Sequence, residues 1–205
     1  MISLEDLKVQ NAILLAKIKD PAYINIVLAN HPTTFTKTVW AKDMAYSLKP
    51  LGLERLGFTG AKYLSNKPTN MQHLYEHKLV GDMIREVIIH DGNGKHITTD
   101  YYYREGDSVF EVETNLTNQV ERITQVTYLN HKVISALRVD SDGEFWYSEY
   151  LYDTAGRVKQ IISRQHNSQY GRYVGTSEVE YIDNVVFSIY HYFKGKRYNS
   201  YLYKG

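Results

Sequence analysis

The arrangement with the most specific chemical meaning in this sequence is His73-Leu74-Tyr75-Glu76-His77. On a helix, two imidazoles four residues apart share one face and can reach one metal ion. A glutamate just before the second histidine can act as base toward a metal-bound water, and H-x-x-E-H is the pattern of inverted zinc peptidases. A third ligand is still required. The candidate, Glu149, lies far along the chain inside a strand-like stretch rather than on a helix of the same region. The competing reading is the polar face of a surface helix with Met71, Leu74 and Leu79 turned inward. On that balance no metal, cofactor or catalytic residue is assigned. The other histidines, such as His31, His90, His131 and His191, fall at no ligand spacing, and no G-x-S-x-G elbow is present. The chain has no cysteine, which excludes thiolate catalysis, thiolate metal ligands and disulfides. Asp91-Gly92-Asn93-Gly94 has the glycines of a phosphate loop without the Gly-Lys-Ser/Thr that would complete one, and it reads as a hairpin turn.

Charge is more informative than any motif. The net charge is only +1, which argues against a protein that holds nucleic acid through phosphates. Yet Arg104 to Asp153 carries a net −6, and Arg157 to Gly205 a net +5. Solvated strand faces explain some of this. A docking surface also explains it, because complementary charge steers association and fixes register. On that reading Glu111, Glu113, Asp140, Asp142, Glu144 and Glu149, with Trp146 as an aromatic anchor, form the candidate partner-binding set. The C-terminal run from Tyr190 to Tyr203 mixes aromatics with lysine and arginine, as single-strand binders do, but its alternation fits a final hairpin better. The longest apolar stretches fall far short of the roughly 20 residues of a membrane span. Glu5 and Asp6 stand where a secretion signal would need basic residues, so the N-terminus reads as a cytoplasmic start.

Two kinds of element must position these residues. Over residues 1–83 the pattern is helical. Ser3 is placed to cap a helix whose Leu4, Leu7, Leu14, Leu15 and Ile18 share a face, and Asp20-Pro21 restarts a second helix that buries Tyr23, Ile24, Val27 and Leu28. Further helices are expected over 38–48 and 70–83. From residue 84 to 205 the rhythm becomes strand and turn. Fifteen of the nineteen tyrosines lie between Tyr101 and Tyr203, and tyrosine suits half-buried strands. Turns are expected at Asp91–Gly94, Arg104–Asp107, Asn115–Asn118, Leu129–Lys132, Asp140–Gly143, Asp153–Gly156, Gln165–Gly171, Ile182–Asn184 and Lys194–Lys196, giving about ten antiparallel strands. The fold class is therefore α+β: a helical N-terminal region packed as one globular unit with a long antiparallel meander, in an open curved sheet or partial barrel.

Within the meander, a tyrosine closes a strand and a valine opens the next at Tyr103 and Val109, Tyr128 and Val133, Tyr152 and Val158, and Tyr181 and Val186. The third unit, Tyr150-Leu151-Tyr152-Asp153-Thr154-Ala155-Gly156-Arg157-Val158, resembles the YD repeat of Rhs-type bacterial surface and toxin proteins. That resemblance implies a β-meander and a bacterial, toxin-linked context, and it transfers no catalytic residue. The expected function is a cytoplasmic bacterial binding protein of the immunity or antitoxin kind that occludes a cognate partner, a toxin, with its meander surface. Neither nucleic acid nor membrane is an expected partner. The alternative is an enzyme or small-ligand binder with a pocket between the helices and the curved sheet, for which convergent polar groups in a deep concavity would be the sign.

Overall fold

The computed structural model describes residues 2–44, 46–56, 62–167 and 171–202. Helix α1 (Leu4–Lys19) opens where Ser3 Oγ accepts from the Asp6 amide at 3.0 Å, and it buries Leu7, Leu14 and Ile18. Helix α2 (Tyr23–Ala29) buries Tyr23, Ile24 and Val27. The remaining regular structure, apart from a 3-10 turn at Glu54–Leu56, is strand: β1 (Lys37–Lys42), β2 (Tyr63–Leu64), β3 (Leu74–Val80), β4 (Met83–His90), β5 (His96–Glu105), β6 (Ser108–Asn115), β7 (Val120–Leu129), β8 (Lys132–Asp140), β9 (Phe145–Tyr152), β10 (Val158–Asn167), β11 (Gly171–Ile182), β12 (Val185–Phe193) and β13 (Lys196–Leu202). They form one open antiparallel sheet in which β3 to β13 follow each other as nearest neighbours, β1 adds at the β3 edge, and β2 lies outside it.

The chain is thus mostly β, with a small helical part at its N-terminus. The helices expected over 38–48 and 70–83 are β1 and β3 instead. In β1, Val39 and Ala41 are buried while their neighbours are not, which is a period of two that the spacing of apolar residues beyond Lys42 disguised. For β3 the deciding feature is the turn after it. Val80 pairs with Met83, leaving Gly81 and Asp82 as a two-residue hairpin whose Gly81 has φ +59°, a conformation glycine adopts without strain.

The turns expected from Asp91 onward fall between β4 and β13, and residues 168–170 of the expected Gln165–Gly171 turn lie outside the described residues. The three of them that begin with aspartate and end with glycine share one bonding pattern. The amide of the fourth residue donates to the carbonyl of the first in Asp91–Gly94, Asp140–Gly143 and Asp153–Gly156, at 2.9–3.0 Å. In the first and third, the aspartate side chain also accepts the amide of the fifth residue, Lys95 and Arg157, at 2.9 Å. Those amide bonds hold both carboxyl groups below the usual aspartate pKa.

The repeated tyrosines do a specific job. Tyr152 OH donates to Val133 O at 2.7 Å and Tyr181 OH to Val158 O at 2.9 Å, so each unit's tyrosine bonds the valine carbonyl of the unit before it. A cation from the preceding turn covers each ring: Arg104 over Tyr128, Lys132 over Tyr152 and Arg157 over Tyr181, at 4.7–5.5 Å. These bonds tie β9 to β8 and β11 to β10 along one end of the sheet.

Both faces of the sheet are covered. On one, α1 and α2 pack against Phe110 and Val112 of β6, Ile123 of β7, Leu137 and Val139 of β8 and Tyr147 of β9. The opposite face is crossed by the connection from β1 to β2, here called the strap (residues 43–56, residue 45 aside), whose Leu48 and Leu51 pack on Val126, Val133, Tyr150 and Ile161. Laid flat, the five spacings from β3 to β8 would separate their residues by about 24 Å. Tyr75 and His77 of β3 and Arg138 of β8 nevertheless line one recess of about 170 Å³. The sheet therefore curls around the strap.

Candidate functional site

Strand register assembles the strap face in rows. One row runs Asp100, Glu113, Arg122, Asp140 across β5 to β8. Beside it runs a second: Tyr102, Glu111, Thr124, Arg138, Trp146, Gln165 and Tyr173 across β5 to β11. Because side chains two residues apart point the same way, every member of these rows faces the strap. The helix face of the same strands is apolar, so the alternation of β6, Phe110-Glu111-Val112-Glu113, is a division between a greasy outer face and a charged inner one.

The first recess is acidic. Asp100, Glu111 and Glu113 point into it together with Tyr102, His77, Tyr46, Arg122, Arg138 and Lys49. Arg122 Nη1 holds Glu113 Oε2 at 2.8 Å and its Nε holds Asp140 Oδ1 at 3.1 Å, while Arg138 Nε reaches the same Asp140 oxygen at 3.2 Å. Burial pushes the carboxyl groups upward: Asp100 well above the aspartate range, with Glu111 and Glu113 adding to the effect, and Glu111 and Glu113 less far because Lys49 and Arg122 oppose it. His77 is 1% exposed and sits edge-on to Tyr63 at 5.2 Å. Burial lowers its pKa to about 4, so it is a neutral ring at physiological pH.

The second recess, of about 480 Å³, begins where the first ends and shares Lys49, Gly52, Leu56 and Arg138 with it. No aspartate or glutamate lines it. Its walls are Arg55, Lys49 and Arg138 with Ser148, Ser163, Ser177, Gln165 and His191, and the rings of Trp146 and Tyr173. Arg138 stacks over Trp146 at 4.6 Å, and Tyr173 stacks on Phe193 at 4.8 Å. Gly175 makes this possible, since a Cβ there would stand 2.3 Å from the Tyr173 hydroxyl and 2.6 Å from its ring. Arg55 anchors the strap by donating from Nη2 to Ser163 Oγ at 3.0 Å. Lys49 makes no hydrogen bond or ion pair through its ammonium among the described residues, and its pKa is lowered, first by burial and then by Arg138 and Arg55, against the pull of Glu111.

Of the residues expected to bind a partner, Glu111, Glu113, Asp140 and Trp146 share the strap face, where the acids meet arginines of the same chain. Asp142 is exposed at the β8–β9 turn, where its side chain accepts the Glu144 amide at 3.0 Å. Glu149 lies in register with Ser135 and Ile162 and so points to the helix side. The zinc-like motif is dispersed. Residues 74–77 are strand, so Glu76 and His77 project from opposite faces, and His73, at φ +51°, sits against the Asp91–Gly94 turn with its ring next to Gly92. Among the described residues no cluster of three metal-ligating side chains exists. A recess of about 620 Å³ does lie between α1 and the sheet, lined by Leu4, Leu7, Asn11, Phe145, His166 and Val174, and a second lies between strap and sheet. Sequence reasoning missed Lys49 and Arg55, which follow the helix expected over 38–48 in a stretch with no clean period. The available signal was the pair of cations in a stretch that also carries Leu48 and Leu51.

No family model matches the chain, and no curated protein matches it. Among solved structures it is similar to a porin-like protein from Bacteroides vulgatus ATCC 8482, at 8% identity and a TM-score of 0.42, over 82% of this chain and 96% of that one. A likeness this remote carries no argument about function. Among the described residues, no helix is long and apolar enough to cross a membrane, which says nothing about strands.

Proposed function

We propose that this protein is a binding protein for a small ligand, received on the strap face of the sheet in the recess beneath Lys49 and Arg55. The observation that carries this reading is convergence: side chains from the strap and from β8 to β12 present donors and rings to one volume of about 480 Å³, the size of ordinary ligand sites. Ser177 Oγ stands 2.7 Å from His191 Nδ1 in this recess, but a hydroxyl–imidazole contact does not by itself make a reaction, and binding is put ahead of catalysis. The test is a thermal-shift screen of small metabolites against the protein and against Ser177→Trp, which fills the recess. Compounds that stabilise the first and not the second support the reading. Equal shifts in both would place binding elsewhere and refute it.

A second reading, the immunity-type protein that occludes a toxin, is favoured by a separate surface. Val9 and Ile13 stand one turn apart on the outer side of α1, 55% and 53% exposed. Asp142 and Glu144 of the neighbouring β8–β9 turn would add charge to that face, and the Rhs-type resemblance supplies the toxin context. Co-expression with toxins encoded beside it, in cells carrying the wild type or Val9→Asp/Ile13→Asp, tests this. Protection that the double substitution abolishes is the expected result, and the absence of protection by either would end it.

A further inference from the structure

Resting on the cleft reading above, we propose that the ligand is an organic anion: a carboxylate or phosphate held by Lys49, Arg55 and Arg138, carried on a flat ring that lies along the wall of Trp146 and Tyr173. Three observations converge on it. Among the described residues the recess is lined by Lys49, Arg55, Arg138 and Arg164 and by no carboxylate, although carboxylates crowd the adjoining recess. Those neighbouring acids are already engaged: Arg122 takes Glu113 and shares Asp140 with Arg138. Arg138 is shared with Asp140 and Lys49 lies within the pull of Glu111, which leaves Arg55 as a cation of this recess that pairs with no acid among the described residues.

Hydrogen-bond bookkeeping points the same way. Arg55 spends Nη2 on Ser163, while its Nε is buried with no acceptor. An orphaned buried donor is destabilising, and an anion seated at that fork removes the cost. Arg138 commits Nε and Nη2 to Asp140, which leaves Nη1 for a second acceptor. The hydroxyls of Ser148 and Ser163 add rotatable donors, while Ser177 Oγ stands 2.7 Å from His191 Nδ1. The recess is far too roomy for a bare inorganic ion, and its Trp146 and Tyr173 wall matches a planar body.

Calorimetric titration of the full chain with four probes decides it: 2-naphthoate, adenosine 5′-monophosphate, inorganic phosphate alone, and the neutral 2-naphthamide. The expected result is binding of 2-naphthoate or of the nucleotide at least tenfold tighter than 2-naphthamide or phosphate, weakened by added sodium chloride and reduced tenfold or more in Lys49→Met. Whichever of the first two binds identifies carboxylate or phosphate as the natural group. Arg55→Met provides a second variant should Lys49→Met fail to fold, and the salt dependence needs no variant. If 2-naphthamide binds as tightly as 2-naphthoate and Ser177→Trp abolishes both, the cleft reading stands and the anion inference is overturned. If no probe binds, both are overturned.

Discussion

Two recesses share the strap face, four lining residues and much of their strand framework, yet they handle charge in opposite ways. In the acidic one, Asp100, Glu111 and Glu113 are balanced from within by Arg122, Arg138 and Lys49, and burial has driven the carboxyl groups toward their neutral forms. In the basic one, Arg55 bonds Ser163 and its Nε meets no acceptor among the described residues, beside the rings of Trp146 and Tyr173. Charges that are satisfied internally hold a fold together and are poor at recognising anything. Charges left without a counterpart at the wall of an open volume cost stability until something arrives to meet them. The comparison sets the first recess apart as structural, and the second is the one we propose for a ligand.

The largest test of that division is to delete one cation from each side. Arg122→Met strands Glu113 and leaves Asp140 to Arg138 alone, and it should cost about 3–5 kcal/mol in urea denaturation, the range for breaking a buried pair. Arg55→Met loses a single bond to Ser163 and should cost about 1 kcal/mol. Equal costs would erase the distinction.

Next in size is the pH response of the acidic side. The folded pKa of His77, about 4, lies below the unfolded value of 6.5, so the unfolded chain binds the extra proton first. Stability from this group is complete above pH 6.5 and is lost as pH falls toward 4, by about 3 kcal/mol. The carboxyl groups with raised pKa work in the reverse direction, so the comparison to make is between wild type and His77→Phe. Their stability difference should change across pH 4–6.5 and stay constant above it, as read by denaturation at a series of pH values.

Asp100 sharpens the same point with the opposite sign. Its folded pKa is raised, so its ionised form costs stability as pH climbs above the unfolded value near 3.8. Asp100→Asn should therefore stabilise the protein by about 1 kcal/mol at pH 8, with the gain vanishing below pH 4. Smallest and most local is Tyr152→Phe, which removes the bond to Val133 O and should cost about 1 kcal/mol or less without altering the pH profile or ligand binding.

Much of this architecture can be read from the sequence, and the gaps have identifiable causes. The turn residues from Asp91 onward announce the meander because each supplies a left-handed backbone position or an aspartate that bonds the amides ahead of it. Ser3 and the leucines of α1 are equally plain. Residues 37–42 and 74–80 are ambiguous because short strands with apolar residues on both sides lack a clear period, and only the Gly81-Asp82 hairpin betrays β3. Among the site residues, Glu111, Glu113, Asp140 and Trp146 were singled out for their charge and aromaticity, and register does place them on one face. What no local pattern could reveal is that the strap folds over that face, because Lys49 and Arg55 meet Arg138 and Ser163 across roughly a hundred residues of chain.

The central claim is that the strap-face recess holds a small molecule. It is tested most directly by native mass spectrometry of the intact chain, purified at moderate salt from its own host at natural expression levels, beside Ser177→Trp handled identically. The account predicts a discrete non-covalent adduct of a few hundred daltons on the wild type that is absent from Ser177→Trp. A wild-type chain at its bare mass, or an adduct retained by the blocked variant, would contradict it.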